Sequence, residues 1–229
     1  MNDASWVLLH GTPLTPAIWR PTAAHLLGPV RIPDCTSVPA GPEPQASLAE
    51  RIATEIDGEI DLVGHSFGGQ VALELALLIP GRIRSLTILC SRDTPFPAFA
   101  AVASAIRSGQ VPPADATLAR WFSPTELAAG GDAIDEARSE LASASALDWA
   151  RALDAIAVYD ASSRTPDLRM PVTLIAAGGD AVSTPAAMGD LQRRLPDARL
   201  DVHPEWHHLS PFLDPRALAR LLEAGADAR

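Results

Sequence analysis

The chain has 229 residues, of which 47% are hydrophobic and 20% charged, with a formal net charge of −10. That apolar share suffices for a sizeable core and argues against disorder, and the length suits one large domain or one domain carrying an insertion. The acidic balance, with no basic stripe, argues against a nucleic-acid partner. All 18 cations are Arg, which removes lysine Schiff-base, P-loop and pyridoxal-phosphate chemistry; no cofactor is expected.

Two cysteines, Cys35 and Cys90, make no disulfide framework and read as buried thiols of a reducing compartment. Neither a signal peptide nor a membrane-length apolar run is evident, so a cytoplasmic protein with no membrane partner is expected. Oligomeric state stays open.

In chain order, short β-rich runs alternate with helical patterns. Strands are expected at Trp6–Leu9, Val30–Ile32, Ile60–Val63, Ser85–Leu89, Val172–Ala176 and Arg199–Val202. Strands separated by helices imply a largely parallel sheet. Thr15-Pro16 marks a first helix start, and Ser47 with Glu50 reads as a capping box for a second. Gly68–Ile79 carries Val71, Leu75 and Leu78 and stops at Pro80-Gly81. Thr184-Pro185 and Asp214-Pro215 open the last two helices, with Gly225 placed after the final one.

About 80 residues separate Leu89 from Val172, too many for one crossover. Helical patterns at Phe99–Ile106 and Leu147–Tyr159, and a capping box at Ser123 and Glu126, make this an inserted helical cap. The expected division is a core of 1–92 and 169–229 with a cap of 93–168. Aromatic residues of the cap, Phe99, Trp121 and Phe122 among them, are candidates for lining a substrate pocket.

Gly64-His65-Ser66-Phe67-Gly68 matches G-x-S-x-G between a strand and an apolar helix. Such a turn strains the Ser66 backbone and lifts its hydroxyl out of the sheet, where it can act as a nucleophile. The N–H of Phe67, at the helix start, would face a developing oxyanion. His10-Gly11-Thr12-Pro13 follows the first strand directly, at the carboxyl end where open α/β sheets bind ligands. The N–H of Thr12 is the candidate second donor, with His10 bracing the loop. Asp180 follows the fifth strand; Asp93, after the fourth, is the alternative acid. His203, His207 and His208 follow the last strand. With Glu205 they have metal-ligand chemistry, but their spacing matches no familiar metal motif, and no metal is expected.

With L-L-H-G-T-P, V-G-H-S-F-G-G, L-I-A-A-G-G-D and H-L-S-P-F-L-D-P in that order, the chain resembles the α/β-hydrolase superfamily over nearly its whole length. The chain order Ser, Asp, His is the one expected of that fold. The resemblance implies catalysis by Ser66, Asp180 and His208, since His208-Leu209-Ser210-Pro211 with Pro215 matches the family spacing and His207 does not. Ala177 stands where the family commonly has Gly. Related proteins also begin with a β-hairpin that is missing here, so a six-stranded sheet is expected.

The short cap, the H-L-S-P segment and Trp121-Phe122-Ser123-Pro124 resemble small bacterial esterases and 3-oxoadipate enol-lactonases. The implied substrate is a small carboxylic ester or lactone. Carbon–carbon bond hydrolysis, cofactor-free perhydrolase or haloperoxidase chemistry, and ligand reception without turnover are the competing readings. Arg92, at a strand end, is a candidate partner for a substrate carboxylate, with a surface ion pair as the alternative.

Overall fold

The computed structural model describes residues 5–227. Six strands form one sheet: β1 (Ser5–Leu9), β2 (Val30–Arg31), β3 (Ile60–His65), β4 (Ile83–Leu89), β5 (Val172–Ala177) and β6 (Ala198–His203). Their order is β2-β1-β3-β4-β5-β6, and every neighbouring pair is parallel. Whatever precedes Ser5, including the expected lack of a hairpin, lies outside the described residues.

β3 and β5 are buried along their whole length, as central strands covered on both faces must be. Their sequences, Ile-Asp-Leu-Val-Gly-His and Val-Thr-Leu-Ile-Ala-Ala, are accordingly short apolar runs without alternation. Edge strand β6 is only half-buried. Asp61, the one carboxylate within β3, is buried and satisfied by Arg84 and by Ser85 Oγ at 2.6 Å.

Helices α1 (Arg20–Ala23), α2 (Pro44–Ala53), α3 (Phe67–Leu78), α9 (Pro185–Arg194) and α10 (Pro215–Asp227) clothe the sheet. α2 packs on α3, while α10 packs on α1 and β4. Between β4 and β5 stand five more: α4 (Ala98–Arg107), α5 (Ala114–Trp121), α6 (Pro124–Ala129), α7 (Asp132–Ser143) and α8 (Ala146–Val158). These five occupy the interval where the sequence reading expects a cap.

Three helix boundaries differ from the sequence reading. α2 begins at Pro44, before Ser47, because proline's fixed φ suits the first helical position and Ser47 then lies inside the first turn. The Thr15 cap holds, with its side chain accepting from Ala17 N, but it opens a short 3₁₀ turn at Pro16–Trp19 ahead of α1. Gly225 lies within α10, packed near Thr173 and Thr87, where a small residue lets the helix approach the sheet.

Candidate active site

Ser66 joins β3 to α3 with φ 54° and ψ −122°, a left-handed conformation that costs a non-glycine residue on the order of 1–3 kcal/mol. Among the described residues only Cys90 shares positive φ without being glycine. The strain is held by the surroundings. Ser66 N donates to Leu89 O at 3.0 Å, and Ser66 O accepts from Gly69 N at 2.9 Å and Ser91 Oγ at 2.6 Å. Gly64 and Gly68 permit the turn by close approach. A Cβ on Gly68 would collide with the carbonyl oxygens of Leu9 and His10, and one on Gly64 with Gly68 O. Thus α3 starts directly against the end of β1, and the Phe67 N–H is one of those a helix leaves without an internal partner.

The loop after β1 is pinned by His10. Its Nε2 accepts from Cys35 N at 2.9 Å, and its Nδ1 lies 3.0 Å from Gly11 O. The neutral tautomer protonated on Nδ1 satisfies both contacts, so His10 braces the loop that carries Thr12.

Asp180 is buried in the loop after β5. Its Oδ1 accepts from Val182 N at 2.8 Å and Ser183 N at 3.1 Å, and its Oδ2 lies 2.7 Å from His208 Nδ1. Burial alone would raise the Asp180 carboxyl, but the His208 imidazole and the two backbone donors outweigh it and the net direction is down. The carboxylate therefore stays ionised, fixing Nδ1 as the protonated nitrogen of His208 and leaving Nε2 as an acceptor.

His65 lies beneath this pair. Its Nε2 donates to the carbonyl of His208 at 3.1 Å, and the two rings sit 4.7 Å apart. Burial, then the neighbouring His208, hold its pKa well below the ordinary histidine value.

Thr12, Ser66, Asp180 and His208 line one cavity of about 400 Å³, together with Phe99 and Trp121 from the cap. No hydrogen bond joins Ser66 Oγ to His208 among the described residues, and both residues line the cavity. Catalytic hydrogen bonds are often long in unliganded sites and tighten when substrate binds.

Other candidates fall elsewhere. Phe122 is fully buried in the core and does not line the cavity. It follows α5 in extended conformation, so its side chain leaves the face that Trp121 presents. Asp93, the alternative acid, is engaged by Arg194 Nε at 2.9 Å and Thr165 Oγ1 at 3.0 Å. Arg92 does not line this cavity and makes no ion pair among the described residues: its guanidinium donates to Val182 O, Thr94 O and Thr94 Oγ1 and lies over Phe96. His203 stacks on Trp206 at 3.7 Å, and the group His203, Glu205, His207 and His208 is not gathered. The metal-capable side chains that do converge are Cys90, Asp180 and His208, with ligand atoms within 4.8 Å of one another. Asp180 and His208 are already bonded to each other, and burial drives the Cys90 thiol pKa up, away from the thiolate a metal needs.

Trp149, one of the cap aromatics expected to line a pocket, does line the cavity from α8, together with Leu153 and Ile156, which sequence reasoning missed, as it missed Arg120 at the end of α5. The first three stand at i, i+4 and i+7, a helical face that periodicity could have flagged. Arg120 carried no such signal.

The alpha/beta hydrolase family model matches residues 6–221, and the chain belongs to this family. A pimeloyl-(acyl-carrier protein) methyl ester esterase of Aromatoleum aromaticum is 30% identical over 250 residues, covering 97% of this chain and 98% of that protein. The 3-oxoadipate enol-lactonase 2 of Acinetobacter baylyi is 26% identical, over 82% of this chain and 73% of that one. Among solved structures, the enol-lactonase from Burkholderia xenovorans LB400 superposes with a TM-score of 0.89 at 21% identity, covering 98% of this chain and 92% of its own.

Proposed function

We propose that this protein is a serine hydrolase that cleaves a small carboxylic ester or lactone through an acyl-enzyme on Ser66. The observation that carries the reading is the Asp180–His208 hydrogen bond at 2.7 Å, set on the same cavity as a serine held in a strained elbow. The names of the relatives, esterase and enol-lactonase, point the same way.

His208 Nε2 takes the Ser66 proton as Oγ attacks the carbonyl carbon, once substrate has drawn the two groups together. Asp180 holds the imidazole tautomer and stabilises the imidazolium. The N–H groups of Thr12 and Phe67 meet the oxyanion, each worth ~2.7–4 kcal/mol by analogy with measured oxyanion donors. The alcohol leaves with the proton from His208, and water activated by the same imidazole releases the acid.

Phe99, Trp121 and Trp149 give the cavity apolar walls suited to an acyl chain. The cap (93–168) and the core (1–92 and 169–229) act as lid and catalytic base in this reading. Trp121 O, accepting from Leu209 N at 2.9 Å, ties the lid beside His208. Arg120 takes the role of a cation at the cavity wall. No helix among the described residues is long and apolar enough to cross a membrane. The test is a panel of p-nitrophenyl esters, lactones and thioesters assayed with wild type and Ser66→Ala. Turnover of at least one class, abolished in the variant, is expected; Ser66-independent turnover of all of them would remove the proposal.

A further inference from the structure

A second cavity, of about 250 Å³, adjoins the first, and Thr12 and Trp149 line both. Its character is different. Glu140 and Asp148 bring two carboxylates, hydroxyls come from Thr15 and Ser143, and no Arg, Lys or His is among the described lining residues.

Glu140 reaches it from α7 and is 4% exposed. Its Oε1 accepts from both the backbone N–H, at 3.1 Å, and the hydroxyl of Thr15. Its Oε2 is buried with no hydrogen-bond partner. A buried carboxylate oxygen without a donor is costly, and groups of this kind call for a ligand or a counter-charge. Burial raises the Glu140 carboxyl pKa against the pull of Thr15, and a cation beside it would favour the ionised form. Asp148 has Arg151 as a partner at 3.5 Å, outside the lining. The Trp149 indole adds a surface that attracts cations.

Thr12, the candidate oxyanion donor, lines both spaces. A carbonyl held at its N–H lies near both. The apolar cavity suits the acyl chain, which leaves the acidic cavity for the alcohol portion.

We infer that the second cavity is a leaving-group subsite for an ammonium-bearing alcohol, recognised by Glu140 and Asp148 against Trp149. The inference rests on the serine-hydrolase reading above. The reaction it specifies is hydrolysis of an amino-alcohol ester: the acyl carbon–oxygen bond breaks, the amino alcohol leaves with a proton from His208, and water supplies the hydroxyl of the released acid.

The test compares 2-(dimethylamino)ethyl acetate, protonated near neutral pH, with its uncharged isostere 3-methylbutyl acetate. Wild type should favour the charged ester in kcat/KM by ~10-fold or more, the range of a close charge pair at an interface. Glu140→Gln keeps an acceptor for Thr15 and removes the charge, so the preference should shrink towards unity. Equal turnover of the two esters by wild type overturns the inference while leaving the Ser66 mechanism intact. A Glu140→Gln enzyme that loses both esters alike also overturns it, since the carboxylate then serves only the Thr15 loop.

A binding readout covers slow turnover of both esters. Free 2-(dimethylamino)ethanol should slow labelling of Ser66 by a fluorophosphonate in wild type and less so in Glu140→Gln. Labelling indifferent to the amine refutes the subsite; no labelling of Ser66 at all refutes the underlying mechanism instead.

Discussion

His208 Nδ1 stands 2.7 Å from Asp180 Oδ2, while the other carboxylate oxygen is held by the N–H groups of Val182 and Ser183. Asp180 is thus fixed by its own loop and orients the imidazole rather than being oriented by it. Asp180→Asn should preserve the loop bonds to Oδ1 and favour the wrong imidazole tautomer. The expected loss in kcat is ~10⁴, by analogy with other triad acids. Steady-state kinetics on an activated ester measures it, and a loss under tenfold would remove Asp180 from the mechanism.

The fold should lose stability in mild acid through His65. Its folded pKa lies well below the unfolded value of 6.5. Below that value the unfolded chain takes up a proton that the folded one refuses. The contribution is therefore complete above pH 6.5 and falls away as pH drops towards the folded pKa, by about 1.4 kcal/mol per pH unit. Urea titrations at a series of pH values should show this slope in wild type and its reduction in His65→Gln. The same slope in both proteins would place the acid sensitivity elsewhere.

Arg194 and Asp93 provide a test in the fold that leaves Ser66, Asp180 and His208 untouched. Asp93 is wholly buried, and Arg194 supplies its charge partner. Arg194→Ala leaves an uncompensated buried carboxylate and should cost ~3–5 kcal/mol. Chemical denaturation reads this directly; a loss below ~1 kcal/mol would mean that water or Thr165 suffices for Asp93.

Gly68→Ala probes the elbow itself. The added methyl meets the Leu9 and His10 carbonyls, which are fixed backbone. Overpacking of this kind costs at least ~1–3 kcal/mol, and the displacement falls on Ser66. The variant should unfold at lower denaturant and lose activity together. Wild-type stability with wild-type activity would contradict the close approach of α3 to β1.

The strands were readable because β1, β3 and β5 are short, mostly apolar runs of the kind a covered parallel sheet demands. The elbow was readable because its chemistry is local: one strand, one strained residue and one helix start are adjacent in sequence. The choice of His208 over His207 rested on family spacing; the hydrogen bond to Asp180 Oδ2 is made by His208. Helices α5 and α7 were not legible in the cap. Both are amphipathic pieces whose exposed charges, such as Asp115 with Arg138, dilute the apolar pattern. Phe122 was misplaced because adjacency to Trp121 says nothing of direction once the chain leaves a helix for extended backbone. The acidic second cavity was hidden altogether, since Thr15 and Glu140 are 125 positions apart and only packing brings them together.

The central claim is that Ser66 is a nucleophile activated by His208. Labelling with a fluorophosphonate, followed by peptide mapping, tests it most directly. A single adduct on Ser66 is predicted, absent in Ser66→Ala and strongly slowed in His208→Ala. An adduct on another residue, or labelling of Ser66 at an unchanged rate without the imidazole, would contradict it.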